Sequence, residues 1–446
     1  LTNLYDITLF IFTMSYGEED NISSININEK DKNLKEDDEK NQFNKNVNVL
    51  PIDNILNNDD ITGHKSLRSH SLYQMPDQLF DAVQKAELYL YSSNDFIIDL
   101  QVHEDNDLIN FEKKRDLFDI LLTKWEASKK FNVFNYSINC MYKLLDGQYN
   151  LSIQLNTERG VKRRRPLRFR ALDEPFCPYR FNFTKLSPFE VLVYLGCTDR
   201  IDEDYSIEQN IIAINASPIE RGHSLIIPSV NKKLPQIITP QAIRMATEIM
   251  LMTKNKDCHV LYNSLLGQAS VNHLHLHFMP WPYESDLIYR KFEHIFKNLY
   301  FIRPPNWFIH CFCIQLESLQ KLDEFLNTIN CVANELLENK IAHNFFFTRA
   351  PPIRITGLNR EEINITQHPS LVTLYIFPRK SVTGAKPPTN FNPAALELAG
   401  CMTAYTYRFF ENADEVGVIR IVNDEALLDE DIIQTIIKKI NISLNN

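Results

Sequence analysis

Residues 263–282 read NSLLGQASVNHLHLHFMPWP. Apolar and imidazole side chains alternate from His273 to Met279, so on a strand of period two His273, His275 and His277 share one face while Leu274, Leu276 and Phe278 pack the other. Such a row serves two chemistries. Neutral imidazoles two apart can ligate a metal, which would want a fourth ligand or water and supporting carboxylates. An imidazole can also attack a nucleotide phosphorus, a covalent histidyl intermediate splitting one hard displacement into two easier ones. The residues ahead of the row lean toward the second use. Gly267, Ala269 and Ser270 let backbone N–H groups approach an anion, and Asn263, Ser264 and Ser270 offer neutral donors to phosphate oxygens. The chain has no CxxC pair and no HExxH. Metal ligation and a purely structural row remain the alternatives.

Working outward, the pattern from Glu190 is strand, strand, strand, helix, strand, strand. EVLVYL (190–195), IIAIN (211–215) and HSLIIP (223–228) are short aliphatic runs, with Pro218 and Gly222 marking the turn between the last two. Thr239-Pro240 fits a helix start, the helix running to about Lys254. HVLYN (259–263) and the histidine strand complete an antiparallel sheet crossed by a helix. A weaker copy follows: WFIHCFCI (307–314) as a strand, 319–337 as an amphipathic helix, HNFFFTRA (343–350) as the counterpart of HVLYNS, and LVTLYIFPRK (371–380) as the counterpart of HLHLHFMPWP. No histidine occupies the row positions of the copy. Arg349, Arg379 and Lys380 lie where that half could offer cations to an anionic substrate, against the commoner reading of exposed strand-end charges. Helices over 393–411 and 425–443 are expected to close the chain.

The His-Leu-His-Leu-His-Phe-Met run resembles the histidine-triad motif, and NSLLGQASVNHLHLH resembles the animal GDP-D-glucose phosphorylases, relatives of the plant GDP-L-galactose phosphorylases. LNTERGVKRRRP (155–166), FNFTKL (181–186), AINASPIERGHSLIIP (213–228), AHNFFFTRA (342–350) and FNPAALELAG (391–400) agree in order. The resemblance implies an α+β fold, a histidine-triad-like antiparallel sheet with helices, duplicated as in galactose-1-phosphate uridylyltransferases into a catalytic and a degenerate half. It implies GDP-D-glucose and inorganic phosphate as substrates, GDP and glucose 1-phosphate as products, and no metal or other cofactor for the chemical step. His275 would be the nucleophile, a backbone carbonyl holding its other ring nitrogen, with His277 beside the phosphate and His273 orienting the strand. Asn263 and Ser270 match positions that hold nucleotide phosphates, and the Gly267–Ser270 backbone would stabilise charge in the transition state, with Ser264 a further substrate-binding candidate in the same turn. Two departures stand out. Leu266 replaces a glycine usual in related animal sequences, and His277 stands where plant phosphorylases and uridylyltransferases carry glutamine, so water is expected to compete with phosphate. A nucleotide hydrolase releasing GMP and a non-catalytic nucleotide-binding protein are the competing readings. Related uridylyltransferases pair up, which makes a homodimer an expectation.

At 446 residues, 44% of them hydrophobic, the chain can bury a sizeable core. The net charge of -10 argues against general affinity for nucleic acid or anionic membrane. No apolar run reaches the roughly 18–20 residues of a membrane helix, and the opening LFIFTM lacks the basic region of a signal peptide. Eight scattered cysteines form no disulfide or zinc pattern, so a cytoplasmic location is expected. Met14 is the expected natural start, with Leu1 to Thr13 an upstream extension. Three segments are expected: a polar, disordered stretch to residue 65, a catalytic part over 66–300 and the degenerate half over 301–446. Residues 107–128 have helical spacing, and YNLSIQL (149–155) reads as a strand. The strand leads into a basic cluster of Arg159, Lys162, Arg163, Arg164, Arg165, Arg168 and Arg170. That cluster reads as a solvated loop, a nucleic-acid patch or part of a phosphate site, where guanidinium forks meet phosphate oxygens two at a time. The resemblance adds weight to a nucleotide-site role, with Arg159 as the candidate.

Overall fold

The computed structural model describes residues 86–100, 116–164, 167–200, 209–356, 368–382 and 390–445. The polar stretch to residue 65, Arg165 and the front of the 107–128 helix lie outside the described residues. Strands in chain order are β1 (Glu87–Tyr91), β2 (Met141–Leu144), β3 (Ser152–Leu155), β4 (Val191–Cys197), β5 (Asn210–Ile214), β6 (Ser224–Ile227), β7 (Cys258–Asn263) and β8 (Leu276–Pro280). They continue with β9 (Glu293–Phe296), β10 (Leu299–Ile302), β11 (Cys311–Gln315), β12 (Ala342–Ala350), β13 (Leu371–Arg379) and β14 (Cys401–Ala404). The helices are α1 (Leu117–Ser128), α2 (Thr157–Lys162), α3 (Pro240–Leu251), α4 (Leu322–Glu338), α5 (Ala395–Leu398), α6 (Tyr407–Asn412), α7 (Glu415–Ala426) and α8 (Glu430–Asn445).

Eleven strands make one sheet in the order β1-β4-β5-β6-β8-β7-β12-β13-β11-β10-β9. Read from its centre, this order is a duplication. β4 to β8 with α3 form one unit, β9 to β13 with α4 form a second, and each contributes its fourth strand to the seam where β7 pairs antiparallel with β12. Superposing HLHLHFMP (273–280) on LVTLYIFP (371–378) puts Leu371, Thr373 and Tyr375 where the three histidines stand.

Each face of the sheet has its own cover. Val260, Tyr262, Leu276, Phe278, Phe345, Phe347, Leu374 and Ile376 pack beneath α1, α3, α4 and α8. The opposite face, with Leu261, Met279, Phe346, Tyr375 and Phe377, is covered by the small sheet β14-β3-β2 and by α5 and α7. Removing whole aliphatic and aromatic side chains from water, at about 1.5–3 kcal/mol each, drives both layers together. α3 starts as its sequence demands, Thr239 Oγ1 accepting from Ala242 N at 3.2 Å and Pro240 filling the first helical position.

Two stretches differ from expectation. The 393–411 segment is a short helix, a strand and a second helix: Gly400, at φ +92°, breaks the helix, and Cys401–Ala404 then pairs in parallel with β3. The 425–443 helix is the end of α7 plus α8, because α7 finishes where Lys380 N and Arg379 Nη2 take the carbonyls of Ala426 and Glu425.

Candidate active site

The histidine row lies on the face covered by the small sheet, but only its last member belongs to the ladder. β8 starts at Leu276, because residues 272–275 bond instead to the segment before α3: Leu274 N donates to Leu234 O at 2.9 Å and Asn272 Oδ1 accepts from Gln236 N at 2.8 Å. The row stays continuous, the His275 and His277 rings being 5.3 Å apart.

Each imidazole has its protons assigned by its partners. The Phe183 N–H donates to Nδ1 of His273 at 3.0 Å, and the ring packs against Phe176 and Phe183, a structural environment. His275 Nδ1 lies 2.8 Å from the carbonyl oxygen of His273 and 2.9 Å from Gln236 Oε1, both acceptors, so the proton sits on Nδ1 and the lone pair on Nε2. Burial pushes the His275 ring down to about 4, so it is neutral at pH 7. His277 is set by a fourth histidine. The Ile219 N–H donates to Nδ1 of His223 at 2.9 Å, which leaves the His223 proton on Nε2; that nitrogen lies 2.9 Å from His277 Nδ1 and 3.1 Å from Asn215 Nδ2, and of the two only the imidazole nitrogen can accept. His277 therefore carries its own proton on Nε2, and burial, followed by the neighbouring His223, keeps it far below the usual imidazole range. A lone pair and an N–H donor thus stand side by side.

The turn before the row is tightly internal. Ser264 Oγ accepts from His343 N at 3.0 Å, Ser264 O accepts from Gly267 N at 3.0 Å and Ala269 N at 3.2 Å, and Gln268 takes φ +81°. A Cβ on residue 267 would lie 2.6 Å from Ser264 Oγ and 3.1 Å from the carbonyl oxygen of His343, so a larger residue there would have to displace the hydroxyl that holds His343 N. Two amides of the small-residue turn are thereby spent on its own shape; among the described residues the amides of Gln268 and Ser270 make no such bond. Asn263 Oδ1 accepts from Asn344 Nδ2 at 2.6 Å and from Ala395 N at 3.0 Å, tying the end of β7 to β12 and to α5. Ser270 is half-buried, its carbonyl accepting from Leu167 N at 3.4 Å.

Of the expected cations, Arg159 is at the row. α2 is capped by Asn156, whose Oδ1 accepts from Arg159 N at 3.0 Å, and Arg159 Nη1 donates to Ser217 O on the same loop as His223. Its charge contributes to the low values of His223 and His277, and its buried Nε has no partner among the described residues. Arg349 is elsewhere. It lies on the helical face at the far end of β12, donating to the carbonyls of Ile97, Ile98, Met250 and Ser370 at 2.8–3.1 Å, the work of a structural clamp. Arg379 is likewise spent on the carbonyls of Pro393, Lys380 and Glu425. The physical reason is common to both: a buried guanidinium must pair, and backbone carbonyls are what each finds. His223, Gln236 and Asn344 join the site without having been singled out in the sequence.

Among the described residues no three His, Cys, Asp or Glu side chains converge as a metal site requires. All eight cysteines are free thiols, and no described helix is long and apolar enough to cross a membrane.

Comparison with known proteins decides the family. The N-terminal domain of the GDPGP1-like family matches residues 116–279 and its C-terminal domain matches 297–445. The chain belongs to the GDPGP1-like family. GDP-D-glucose phosphorylase 1 of Caenorhabditis elegans is 50% identical over 378 residues, 82% of this chain and 78% of that protein. The human GDP-D-glucose phosphorylase 1 is 30% identical over 68% of this chain and 78% of its own. GDP-L-galactose phosphorylase 1 of Arabidopsis thaliana is 27% identical over 70% of each. The boundary between the two GDPGP1-like domains falls between β8 and β10, where the chain passes from one unit of the sheet to the other.

Proposed function

We propose that this chain is a GDP-D-glucose phosphorylase working through a guanylylated His275. The observation that carries the proposal is the pairing of opposite hydrogen-bond polarities at the row: a neutral ring with its Nε2 lone pair free beside a neutral ring with Nε2–H. His275 Nε2 attacks the phosphorus bound to guanosine, forming a P–N bond as the P–O bond to the second phosphate breaks and glucose 1-phosphate departs. His277 Nε2–H donates to a phosphate oxygen as charge grows there. An oxygen of inorganic phosphate then attacks the same phosphorus, the P–N bond breaks, and GDP leaves. Arg159, Asn263, Ser264, Gly267 and Ser270 surround the phosphates in this reading, with the free Gln268 and Ser270 amides as donors. Arg349 supports the fold instead.

The reaction needs no metal in this reading, and the chain is cytoplasmic, unattached to nucleic acid or membrane. A homodimer is tested by sedimentation at several concentrations. A second outcome, hydrolysis, is favoured by His277, because a histidine can orient water as well as phosphate. The deciding experiment offers GDP-D-glucose to the protein with and without phosphate, beside His275→Asn. GDP appears, and glucose 1-phosphate exceeds one per active site, only with phosphate and not with the variant; GMP released without phosphate identifies a hydrolase, and turnover by the variant removes His275 from the mechanism.

A further inference from the structure

β7 and β8 cease to be a ladder before they reach the reacting ring. Their last register pair on this side is Leu261 with His277, and Asn263 and His275 beyond it share no strand bond. One side chain occupies the interval. Gln236, 1% exposed, sits in the segment leading into α3, its own N–H held by Asn272 Oδ1 and its carbonyl oxygen accepting from Tyr262 Oη at 3.0 Å. Its Nε2 donates to Asn263 O at 2.9 Å and to His275 O at 3.0 Å. Its Oε1 accepts from His275 N at 2.9 Å and stands 2.9 Å from Nδ1 of the same residue. A carboxamide has two donor hydrogens and two acceptor lone pairs, and all four are used here on the two strand ends.

We propose that Gln236 is the positioning residue of the nucleophile, splinting the open ends of β7 and β8 and holding His275 by backbone and ring at once. This rests on the reading of His275 as the nucleophile. The nitrogen side of the amide replaces the missing ladder bonds, so the strands can part to admit a phosphate without losing register. The oxygen side does something a splint alone would not need. It gives the Nδ1–H a second acceptor beside His273 O, fixing the ring plane and sharing the positive charge that builds on the imidazole as the P–N bond forms. Fixing a reacting atom in its attack geometry, with acceptors aimed where charge develops, is worth rate rather than affinity.

The test compares Gln236→Met, which keeps length and loses every polar atom, with Gln236→Glu, which keeps an acceptor for Nδ1–H, and with His275→Asn. Guanylyl-enzyme formation is followed in a single turnover with GDP-D-glucose and no phosphate, the burst amplitude normalising each rate to active chains. Gln236→Met slows guanylylation by about 100-fold, while KM moves by less than about threefold. Gln236→Glu recovers at least about tenfold of that loss, which a merely structural role would not give. A Gln236→Met enzyme that is guanylylated at the wild-type rate per active chain overturns the proposal. Should that variant fail to fold, Gln236→Glu decides: a rate within about tenfold of wild type supports the proposal, and a larger loss overturns it. Guanylylation of His275→Asn instead removes the nucleophile reading, whatever Gln236 does.

Discussion

Protonating the His275 ring would occupy the lone pair that its Nε2 offers, so under the proposed mechanism, with His275 as nucleophile, the acid limb of the first half-reaction reports that ring's affinity for a proton. Burial holds it at about 4, against roughly 6.5 for a free imidazole. Guanylylation in a single turnover without phosphate, which avoids the titration of the second substrate, is therefore expected to keep its rate from pH 7.5 down to about 5 and to fall only near 4. An acid limb centred near 6.5 would mean that the site is wetter, and the ring more easily charged, than the fold makes it. At this scale the sequence shows what lies along one strand. The alternation of His273, His275 and His277 marks the row, because period two needs only neighbours. His223 and Gln236 leave no such mark: they reach the row from 54 and 39 residues away, and a lone histidine or glutamine in those segments looks like any other.

Arg349 shows how an element decides what a cation is for. At the far end of β12 and on the helical face, it gathers carbonyls from α3, from the segment after β1 and from the start of β13, so removing it takes a charged donor from four carbonyls, those of Ile97 and Met250 at fully buried contacts. Arg349→Met should cost about 3–5 kcal/mol of stability, while the KM for GDP-D-glucose, measured on the folded protein, stays at the wild-type value. Thermal denaturation and steady-state kinetics check this together, and a raised KM with an unchanged melting temperature would return Arg349 to the substrate. β-strands with a clear period, β4 to β7, β12 and β13, can be located in the sequence to within a few residues, as can α3 with its Thr-Pro start. The 393–411 stretch cannot. Its composition is helical, but Gly400 and the parallel pairing of Cys401–Ala404 with β3 depend on a strand some 250 residues earlier. Nor does the alternation of the histidine row tell where β8 begins, because the departure of His273 and His275 from the ladder is caused by residues 234–236.

Across the whole molecule, burial that keeps imidazoles neutral ties stability to pH. His273, His275 and His343 are held at about 4 and His259 at about 3, all by burial. In the unfolded chain each would titrate near 6.5. Folded values below unfolded ones mean that the unfolded state binds more protons between these limits, so stability is complete above about pH 6.5 and is lost as pH falls toward 4. The urea midpoint should accordingly be level from pH 8 to 7 and lower at pH 5; an unchanged midpoint would show that these rings take up protons equally in both states. The duplicated halves share that vulnerability, since His343 lies on β12 and the row lies beside β7. Their seam has a further meaning. Two identical subunits joined edge to edge in this way would have to accept every change twice, once on each side of the axis. A chain that carries both partners is free of that constraint: it has His-Leu-His-Leu-His on β8 and its approach, and Leu371, Thr373 and Tyr375 at the matching positions, so the second copy can serve as scaffold for the first.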